Sequence, residues 1–476
     1  MYRHQLMDHK FFKLLLIFFV VALNSLTAQI NFKDPTFNTS SGTNSTIYSL
    51  ALQADNKILI GGSFTTFNGI STPRVTRLNS DGTLDSTFNI GSGPDGAVMS
   101  ISIQQDSKII ISGFFKQVNG ISSRSIARLN SDGTIDTTFN IGSGADSTVF
   151  ATKIQADGKI IIGGRFQSFN GIPANYVLRL NTGGDIDTSF SNLQVDSSVF
   201  AISIQPDNKI IIGGEFKHVN GLSKNSLARL NQNGSNDSNF NIGIGFNQQI
   251  RNVLIQPDGK VLTCGGFTAL DGNQRKYIAR LNSNGSLDIN FDPGISASDL
   301  IETIALQPNG KIFVGGYFNY FNGVFKKFIS KLNNDGTVDP YFLQGEDVNS
   351  YVYASVVQQD GKIIAAGSFE WFGTVKVFNI IRFINDNALG YNEFDKGTKF
   401  EVYPIPANNV VCFSSNDKNK NGTLSIFNMN GELVYKDKIS SNFLTLNTMA
   451  WSNGIYLANY KGANYSKTIK FNIENQ

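Results

Sequence analysis

Five basic side chains occupy equivalent loop positions in three neighbouring copies of an internal repeat. They are Lys224 in one copy, Arg275 with Lys276 in the next, and Lys326 with Lys327 in the third. Variable loops on a rigid scaffold are where binding residues concentrate, and clustered cations attract anionic partners. The five residues predict a contact for an anionic glycan or an acidic surface protein. A solvated set of unrelated charges is the alternative.

Trp371 is a further candidate for ligand contact, because it breaks the pattern of the last repeat copy. An indole ring presents a large apolar face, which could stack on a sugar ring. The alternative is that Trp371 packs at the seam where the repeat array closes.

Enzyme chemistry finds little support among the residue types that usually carry it. His4 and His9 lie in the leader, so His218 is the single histidine beyond it. A histidine-rich zinc site and a Ser-His-Asp arrangement each need a partnered imidazole, and Cys264 is interpreted as a buried, inert thiol. No catalytic residue or cofactor is predicted. A hydrolase or lyase acting on glycan or peptide stays the alternative, because paired carboxylates cannot be recognised without a structure.

An oxygen-rich motif, Asn79-Ser-Asp81-Gly-Thr-Leu-Asp85, resembles calcium-binding loops. Calcium takes six or more oxygen ligands, but other copies carry Gly183-Gly184 or Asn233-Gly234 at this place. Such pairs keep a hairpin turn while losing negative charge. The sequence therefore favours a plain turn and predicts no metal.

A repeat of about 51 residues organises most of the chain. Its marker is the lysine after the first turn of each copy: Lys57, Lys108, Lys159, Lys209, Lys260, Lys311 and Lys362, at spacings of 51, 51, 50, 51, 51 and 51 residues. A period near 50 with several strand-like segments per copy is typical of a β-propeller, since solenoid and helical-pair repeats are shorter.

Each copy divides into four predicted strands. In the second copy these are 98–104, 108–115, 125–130 and 134–139. Asp-Gly or Asn-Gly pairs recur at the first turn, for example Asp157-Gly158 and Asn309-Gly310, and such pairs favour two-residue hairpins.

A glycine and a phenylalanine two residues later recur in the second strand of every copy. The pairs are Gly62/Phe64, Gly113/Phe115, Gly164/Phe166, Gly214/Phe216, Gly265/Phe267, Gly316/Phe318 and Gly367/Phe369. Glycine within a strand often marks a close backbone approach. Because one ligand rarely needs seven equivalent sites, the pair predicts packing between blades.

The two ends of the repeat array predict closure of a ring. Six copies carry an Asp-x-x-Phe signature in the fourth strand, beginning with Asp85/Phe88, but the seventh has Gly390 at the expected place. Asp34 and Phe37 carry the signature 51 residues before Asp85, with no preceding strands. The N-terminal segment is therefore predicted to supply the last strand of the seventh blade, which removes an open sheet edge.

With these elements in place, the repeat resembles a known family. The QPDGKxxxGGxF, NG, ARLN and DG-xx-D-xx-F elements are similar to the delta-60 type repeat, a bacterial β-propeller family of largely unknown function. The resemblance covers about 34–388 and implies a seven-bladed propeller. It implies no catalytic residues.

The chain after the repeats has its own strand pattern. Residues 389–399 are predicted to be a linker, and 400–476 resemble the type A sorting domain of the type IX secretion system of Bacteroidota. The matching positions are Tyr403, Pro404, Pro406, Gly431, Gly454, Tyr456, Lys467 and Lys470. Ile405 departs from the asparagine usual between the two prolines. The resemblance implies a small Ig-like β-sandwich that the export machinery recognises and removes, with the cargo attached to surface lipopolysaccharide or released.

The N-terminal residues predict export as well. Lys10 and Lys13 precede a ten-residue apolar run, Leu14 to Leu23, which is about half of the roughly 20 residues that span a bilayer. Residues 1–29 are therefore predicted to be a signal peptide, and no membrane span is expected in the mature protein. Cys264 and Cys412 are the two cysteines and fall in different domains, so no disulfide framework is expected.

Charge disfavours nucleic acid as a partner. The formal net charge is +3, from 40 basic and 37 acidic residues, and removing Arg3, Asp8, Lys10 and Lys13 with the leader leaves +1. Binding to phosphates would need a basic face. The sequence thus predicts an all-β, secreted or cell-surface protein: a seven-bladed propeller of four-stranded blades and a sorting domain, acting as a non-enzymatic binding or adhesion module.

Overall fold

The computed structural model describes residues 32–190, 193–340, 342–343, 346–384, 400–408, 410–415, 422–439, 443–462 and 466–474. The chain divides into two compact units, Met1–Asn385 and Asp386–Gln476. The predicted signal peptide and linker lie outside the described residues. No helix with the length and hydropathy of a membrane span occurs in the described ranges.

The first strands of the seven blades form a ring. Each contacts the first strand of the next blade, and the first strand of blade seven contacts that of blade one. The first strands are Ile47–Leu52, Ala97–Ile103, Val149–Ile154, Val199–Ile204, Ile250–Ile255, Ile301–Leu306 and Val352–Val357. The predicted ring of seven blades is thereby confirmed, with the first strands around a central channel.

The second strand lies in the middle of each three-stranded sheet. It is rich in isoleucine and valine and almost wholly buried, as expected for a strand covered on both faces by neighbouring blades. The second strands are Ile58–Gly62, Ile109–Phe114, Ile160–Gly164, Ile210–Gly214, Val261–Gly265, Ile312–Gly316 and Ile363–Gly367.

The third strand completes the regular part of each sheet, and the fourth is very short. The third strands are Val75–Leu78, Ile126–Leu129, Val177–Leu180, Leu227–Leu230, Ile278–Leu281, Ile329–Leu332 and Ile380–Phe383. The fourth strand pairs through a single bridge, such as Leu78 with Leu84 in blade one. It ends there because Asp85 Oδ1 accepts hydrogen bonds from Thr87 N at 3.0 Å and Thr87 Oγ1 at 2.7 Å, which turns the chain away.

A small hairpin lies between the second and third strands of every blade. Asn68 and Gly69 both have positive φ, 51° and 75°, which is the geometry of a tight two-residue hairpin. The paired strands are Thr66–Phe67 with Ile70–Ser71, Gln117–Val118 with Ile121–Ser122, Ser168–Phe169 with Ile172–Pro173, His218–Val219 with Leu222–Ser223, Ala269–Leu270 with Asn273–Gln274, Tyr320–Phe321 with Val324–Phe325, and Trp371–Phe372 with Val375–Lys376.

The hydrophobic core lies between blades. One cluster combines Ile47 and Phe64 of blade one with Ala354 and Ile364 of blade seven. A Cβ added to Gly62 would collide with the carbonyl oxygen of Thr46, which directly precedes the adjacent first strand. The recurrent glycine and phenylalanine thus serve strand contact and blade packing.

The N-terminal segment closes the ring as predicted. Lys33 forms a bridge with Phe383 at the end of the third strand of blade seven, and Asp34 N donates to Arg382 O at 2.8 Å. Asp34 is 2% exposed, and its Oδ2 lies 2.8 Å from Arg382 Nε and 3.0 Å from Lys362 Nζ. Residues separated by more than 300 positions therefore form one blade.

The same cluster of two cations and a buried aspartate occurs in every blade. Its members are Lys57/Arg77/Asp85, Lys108/Arg128/Asp136, Lys159/Arg179/Asp187, Lys209/Arg229/Asp237, Lys260/Arg280/Asp288, Lys311/Lys331/Asp339 and Lys362/Arg382/Asp34. The arginine also reaches the next blade, since Arg179 Nη1 donates to Gln232 O at 2.6 Å.

The second unit has seven strands in two sheets that share the first strand. The strands are Phe400–Asn408, Val410–Ser415, Gly422–Asn428, Leu433–Ile439, Phe443–Asn447, Gly454–Lys461 and Ser466–Ile473. The first strand pairs antiparallel with the second and, through Ala407 and Ile473, parallel with the last. Phe400, Phe413, Leu424 and Tyr460 belong to the core of this β-sandwich.

We expect Asp34→Asn to lower the free energy of unfolding of the propeller by about 3–5 kcal/mol, because Arg382 and Lys362 would lose their shared carboxylate. The measurement is denaturation followed by Trp371 fluorescence in a Trp451→Phe background. The control is Asp55→Asn at an exposed turn, which should change it by less than about 0.5 kcal/mol. Equal stabilities of the two variants would contradict the closure.

Acid should destabilise the propeller through the same clusters. Burial alone raises the pKa of Asp34, but hydrogen bonds from Thr36 and Lys362 and the charge of Arg382 outweigh it and hold the pKa well below its ordinary value of 3.8. The pKa values of Asp85, Asp136, Asp187, Asp237 and Asp288 are lowered in the same way. A lowered carboxyl pKa stabilises the fold fully above the unfolded pKa and loses this effect as pH falls toward the folded pKa.

We therefore expect the melting temperature to be steady between about pH 7 and 5 and to fall below about pH 4. Asp34→Asn should show a shallower fall, because one of the coupled carboxyls is gone. A fall of the same steepness in both proteins would disprove this origin of the acid sensitivity.

Candidate functional site

A β-bulge occurs near the start of every first strand. In blade one the register shifts between Ile47 and Ser49, so that Tyr48 is the extra residue. The equivalent shifts occur in the other six blades. A bulge redirects a side chain and is common next to functional sites.

The bulged residues form what we call the channel ring. They are Tyr48, Met99, Phe150, Phe200, Arg251, Glu302 and Tyr353, each half-buried and each preceded by an apolar residue with no exposed surface. Because the first strands surround the axis, these seven side chains lie at one mouth of the central channel. The ring combines aromatic, basic and acidic groups, whereas the core positions beside it repeat almost unchanged.

Aromatic contacts join four residues of the channel ring in two pairs. The ring centroids of Phe150 and Phe200 lie 5.3 Å apart, and those of Tyr48 and Tyr353 lie 5.2 Å apart, both edge to face. The aromatic ring of Tyr317, which directly follows the second strand of blade six, has its centroid 5.8 Å from that of Tyr353. Such pairs prefer these offsets and rigidify the groups that form them.

The two charged members of the channel ring, Arg251 and Glu302, contact each other, and Arg251 also contacts Phe200. Arg251 Cζ lies 4.4 Å from the Phe200 ring centroid, and Arg251 Nε lies 3.9 Å from Glu302 Oε2. Burial raises the pKa of Glu302, and the charge of Arg251 partly opposes that shift. Burial also raises the pKa of Tyr317, and its hydrogen bond to Tyr353 adds to the shift. Apolar walls with a few converging polar groups are typical of ligand sites.

One position of the repeat could have indicated the channel ring from the sequence, but it is missed when only the residues shared by all copies are compared. The residue after the leading Ile or Val of the first strand reads Tyr, Met, Phe, Phe, Arg, Glu and Tyr through the seven copies. Variation at one position of an otherwise regular repeat suggests a role outside the common scaffold. The bulge that turns this residue toward the channel is visible only in the structure.

Of the five cations predicted to contact an anionic partner, Lys326 is buried. Lys326 is 8% exposed, and its Nζ donates to Phe342 O at 2.7 Å and also to Leu343 O. Desolvation lowers the pKa of Lys326, an effect that Asp347 and Asp339 oppose. Its ammonium group holds backbone carbonyls of the fourth-strand turn and is therefore not displayed to a partner.

The other four cations are half-buried. Lys224 Nζ reaches Phe240 O at 3.4 Å, the contact equivalent to that of Lys326. Arg275 Nη1 donates to Gln274 O at 2.9 Å, and Lys327 Nζ lies 5.1 Å from the Phe325 ring centroid. Lys276 is half-buried as well. Because Lys224 and Lys326 point inward, Lys276 and Lys327 are the better candidates for contact with an anion.

Trp371 lies on the surface of the blade-seven hairpin. It is 37% exposed, and Lys376 Nζ lies 5.3 Å from its ring centroid. Its backbone N–H donates to Asn349 Oδ1 at 3.0 Å. The indole is therefore accessible and is not buried in the closure seam.

The remaining chemical groups have structural partners. His218 Nδ1 lies 2.8 Å from Asp196 Oδ2 on an exposed hairpin. Cys264 is fully buried, and desolvation raises its pKa. Asp81 Oδ1 accepts hydrogen bonds from Thr83 within the turn, and Asp85 is held by Arg77 and Lys57. Within the described ranges, no group of three or more acidic, histidine or cysteine side chains could hold a metal ion.

The residues proposed as the sorting signal lie in the second unit. Gly431 has a positive φ of 80° at a turn, and Gly454 begins the sixth strand. Tyr456 is 5% exposed and its hydroxyl donates to Ser452 O at 2.8 Å. Lys467 Nζ donates to Phe400 O at 3.2 Å. The last strand also contains Lys470, which is exposed, and the first strand contains Tyr403, Pro404 and Pro406.

Comparison with solved structures returns propellers of low similarity. The extracellular domain of a two component system from B. thetaiotaomicron is 13% identical, with a TM-score of 0.45, over 92% of this chain and 57% of that one. PorZ, a surface component of the type-IX secretion system of Porphyromonas gingivalis, is 13% identical, with a TM-score of 0.42, over 92% and 60%. A virginiamycin B lyase from Staphylococcus aureus is 15% identical, with a TM-score of 0.44, over 73% and 97%. The chain spans less than two thirds of the first two structures, and no curated protein matches it.

Family models match both units of the chain. The model of a secretion system C-terminal sorting domain matches 401–474. This domain implies handling by the type IX secretion machinery, and the protein is extracellular or lies on the outer cell surface. The DUF5122 β-propeller model, a domain of unknown function, matches 53–88, 104–139, 155–190, 205–240, 256–291, 307–342 and 358–386. The chain belongs to the DUF5122 β-propeller family and carries a C-terminal secretion sorting domain.

Proposed function

We propose that this secreted protein is a non-enzymatic binding module and that its ligand binds at the channel ring. The observation that carries the proposal is the asymmetry of the ring. Seven equivalent positions hold Tyr48, Met99, Phe150, Phe200, Arg251, Glu302 and Tyr353, although the scaffold around them repeats. A ring that served only packing would be expected to repeat like the core.

The chemistry of the ring favours binding over turnover. Glu302 is the one acidic member, and Arg251 lies beside it, so the ring lacks the pair of carboxyl groups that glycoside cleavage ordinarily uses. The aromatic members are fixed by edge-to-face contacts, and rigid aromatic groups bind with little loss of conformational entropy. A hydrolase or lyase with Glu302 as its acid is the alternative function.

The test is a screen of glycans and cell-surface extracts with the full-length protein and its Phe150→Ala and Tyr353→Ala variants. Each substitution should weaken binding of a detected ligand at least about tenfold, because a central aromatic contact is removed. Ile289→Ala, which alters an apolar residue that is 77% exposed, is the control and should leave binding unchanged. Equal binding by all four proteins would exclude the channel ring as the site.

The alternative is tested with the same ligands. An enzyme would convert a bound glycan or peptide to products, and Glu302→Gln would stop conversion while leaving binding nearly intact. Product formation that depends on Glu302 would replace the binding proposal with the enzymatic one.

The surface around Lys276, Lys327 and Trp371 is a second candidate for glycan contact, because these groups are partly accessible on neighbouring blades. We expect Lys276→Glu with Lys327→Glu to abolish retention on an anionic glycan column at low salt, since surface charge attraction is screened by ions. Lys326→Met should instead lower the melting temperature and keep retention. A wild-type protein that is not retained would rule out this surface.

A further inference from the structure

Blade three presents two cations along one side of the channel. Arg165 directly follows its second strand and lies over the Phe150 ring, with Cζ 5.7 Å from the centroid. Lys153 lies three positions after Phe150 on the first strand. From the mouth inward, this side of the channel therefore offers a guanidinium, an aromatic ring and an ammonium group.

Lys153 lies on the first strand of blade three, which borders the channel. The equivalent residues in the other blades are small or apolar: Ala51, Ser102, Ser203, Leu254, Ala305 and Val356. Lys153 is solvent-exposed, yet surrounding protein desolvates it enough to lower its pKa. A lysine on the outer surface would be exposed without such desolvation, so the combination fits a side chain that extends into a channel through the protein.

Neither blade-three cation has an acidic partner. In the described ranges, no salt bridge involves Lys153 or Arg165, whereas Arg251 across the ring pairs with Glu302 at 3.9 Å. Glu215, at the position equivalent to Arg165 in blade four, lies 3.4 Å from Ser197 Oγ. A desolvated ammonium group at Lys153 and a guanidinium group at Arg165, both without a counter-charge, favour an anionic ligand.

The spacing sets the size of that ligand. Strands rise about 3.3 Å per residue, so Phe150 and Lys153 are separated by roughly 10 Å along the strand. A group that contacts both is nearer in length to a disaccharide than to a single sugar. Phe150 and Phe200 provide apolar faces for the C–H surface of a sugar ring.

The strand edges disfavour an extended peptide on this side. Peptides commonly bind by adding a strand to free backbone groups. Here Ile101 N–H donates to Ser49 Oγ at 3.0 Å and Thr152 N–H to Ser100 Oγ at 3.2 Å, so neighbouring side chains already satisfy these backbone donors.

We infer that the channel side formed by Arg165, Phe150 and Lys153 binds an acidic oligosaccharide, with its carboxylate or sulfate groups at the two cations and a sugar ring against Phe150. The inference rests on the proposed function of the channel ring. It adds the ligand class and the two residues that select it.

The experiment measures binding of the full-length protein to a tetrameric oligogalacturonate, its methyl ester and a sulfated tetrasaccharide by calorimetry. We expect one or both acidic sugars to bind and the ester to bind at least about tenfold more weakly, because charge-assisted hydrogen bonds are lost. Lys153→Ser and Arg165→Ser should each weaken the acidic sugar about tenfold. Serine occupies the equivalent positions at Ser102 and Ser63, so these variants preserve the repeat.

Three further variants separate the possible outcomes. Lys116→Ser, on an exposed loop, should bind as the wild type does, and Glu215→Gln should bind the acidic sugar more tightly because a repulsive charge is removed. Phe150→Ala should weaken the acid and the ester alike.

Equal binding of the acid and the ester, with no effect of Lys153→Ser, would overturn the inference. If Phe150→Ala still lost binding in that case, the proposed function would stand. No binding of any acidic sugar, or preference for a glutamate-rich peptide, would also overturn the inference. Unchanged binding in Phe150→Ala would count against the channel ring itself.

Discussion

The propeller depends on a carboxylate shared by two cations at the turn that ends each blade. The aspartate orients the turn, one lysine directly precedes the second strand, and the other cation, an arginine or Lys331 in blade six, comes from the third strand. One carboxylate thus joins three parts of a blade. The arginine then bonds to the turn of the following blade and lies over the phenylalanine of its own turn. Because both cations meet at Asp187 Oδ2 in blade three, the loss of one carboxylate would leave two charges uncompensated.

The closure of the ring uses this same cluster and no special device. Asp34 and Phe37 take the places that Asp85 and Phe88 hold in blade one, so Arg382 and Lys362 meet an aspartate brought from the other end of the chain. Asp34 thus both pairs with the two cations and joins the N-terminal segment to the sheet of blade seven. An open ring would leave the edge of blade seven unpaired and its cations without a carboxylate, which explains why Asp34 and Phe37 retain the repeat signature.

Structural and functional demands are separated along the repeat. Positions between blades must interlock with identical partners and therefore repeat, as Gly62 and Phe64 do in the first copy. The bulged position faces the channel and meets no such demand, so it can differ from blade to blade. Sequence variation between blades does not by itself indicate a binding role. Lys224 and Lys326 lie at a variable loop position, yet both turn inward and donate to carbonyl groups of the fourth-strand turn.

Much of the architecture followed from the sequence because register in a repeat protein is set by local turns and strand periodicity. The 51-residue period, the displaced Asp34 signature and the hairpin turns were sufficient for seven blades and their closure, and the sorting domain was recognised from its own motifs. The tertiary structure decided where side chains point. A bulge at Phe150 and burial at Lys326 arise from pairing and packing between strands distant in the chain, and no local pattern records on which side of a strand such a residue emerges.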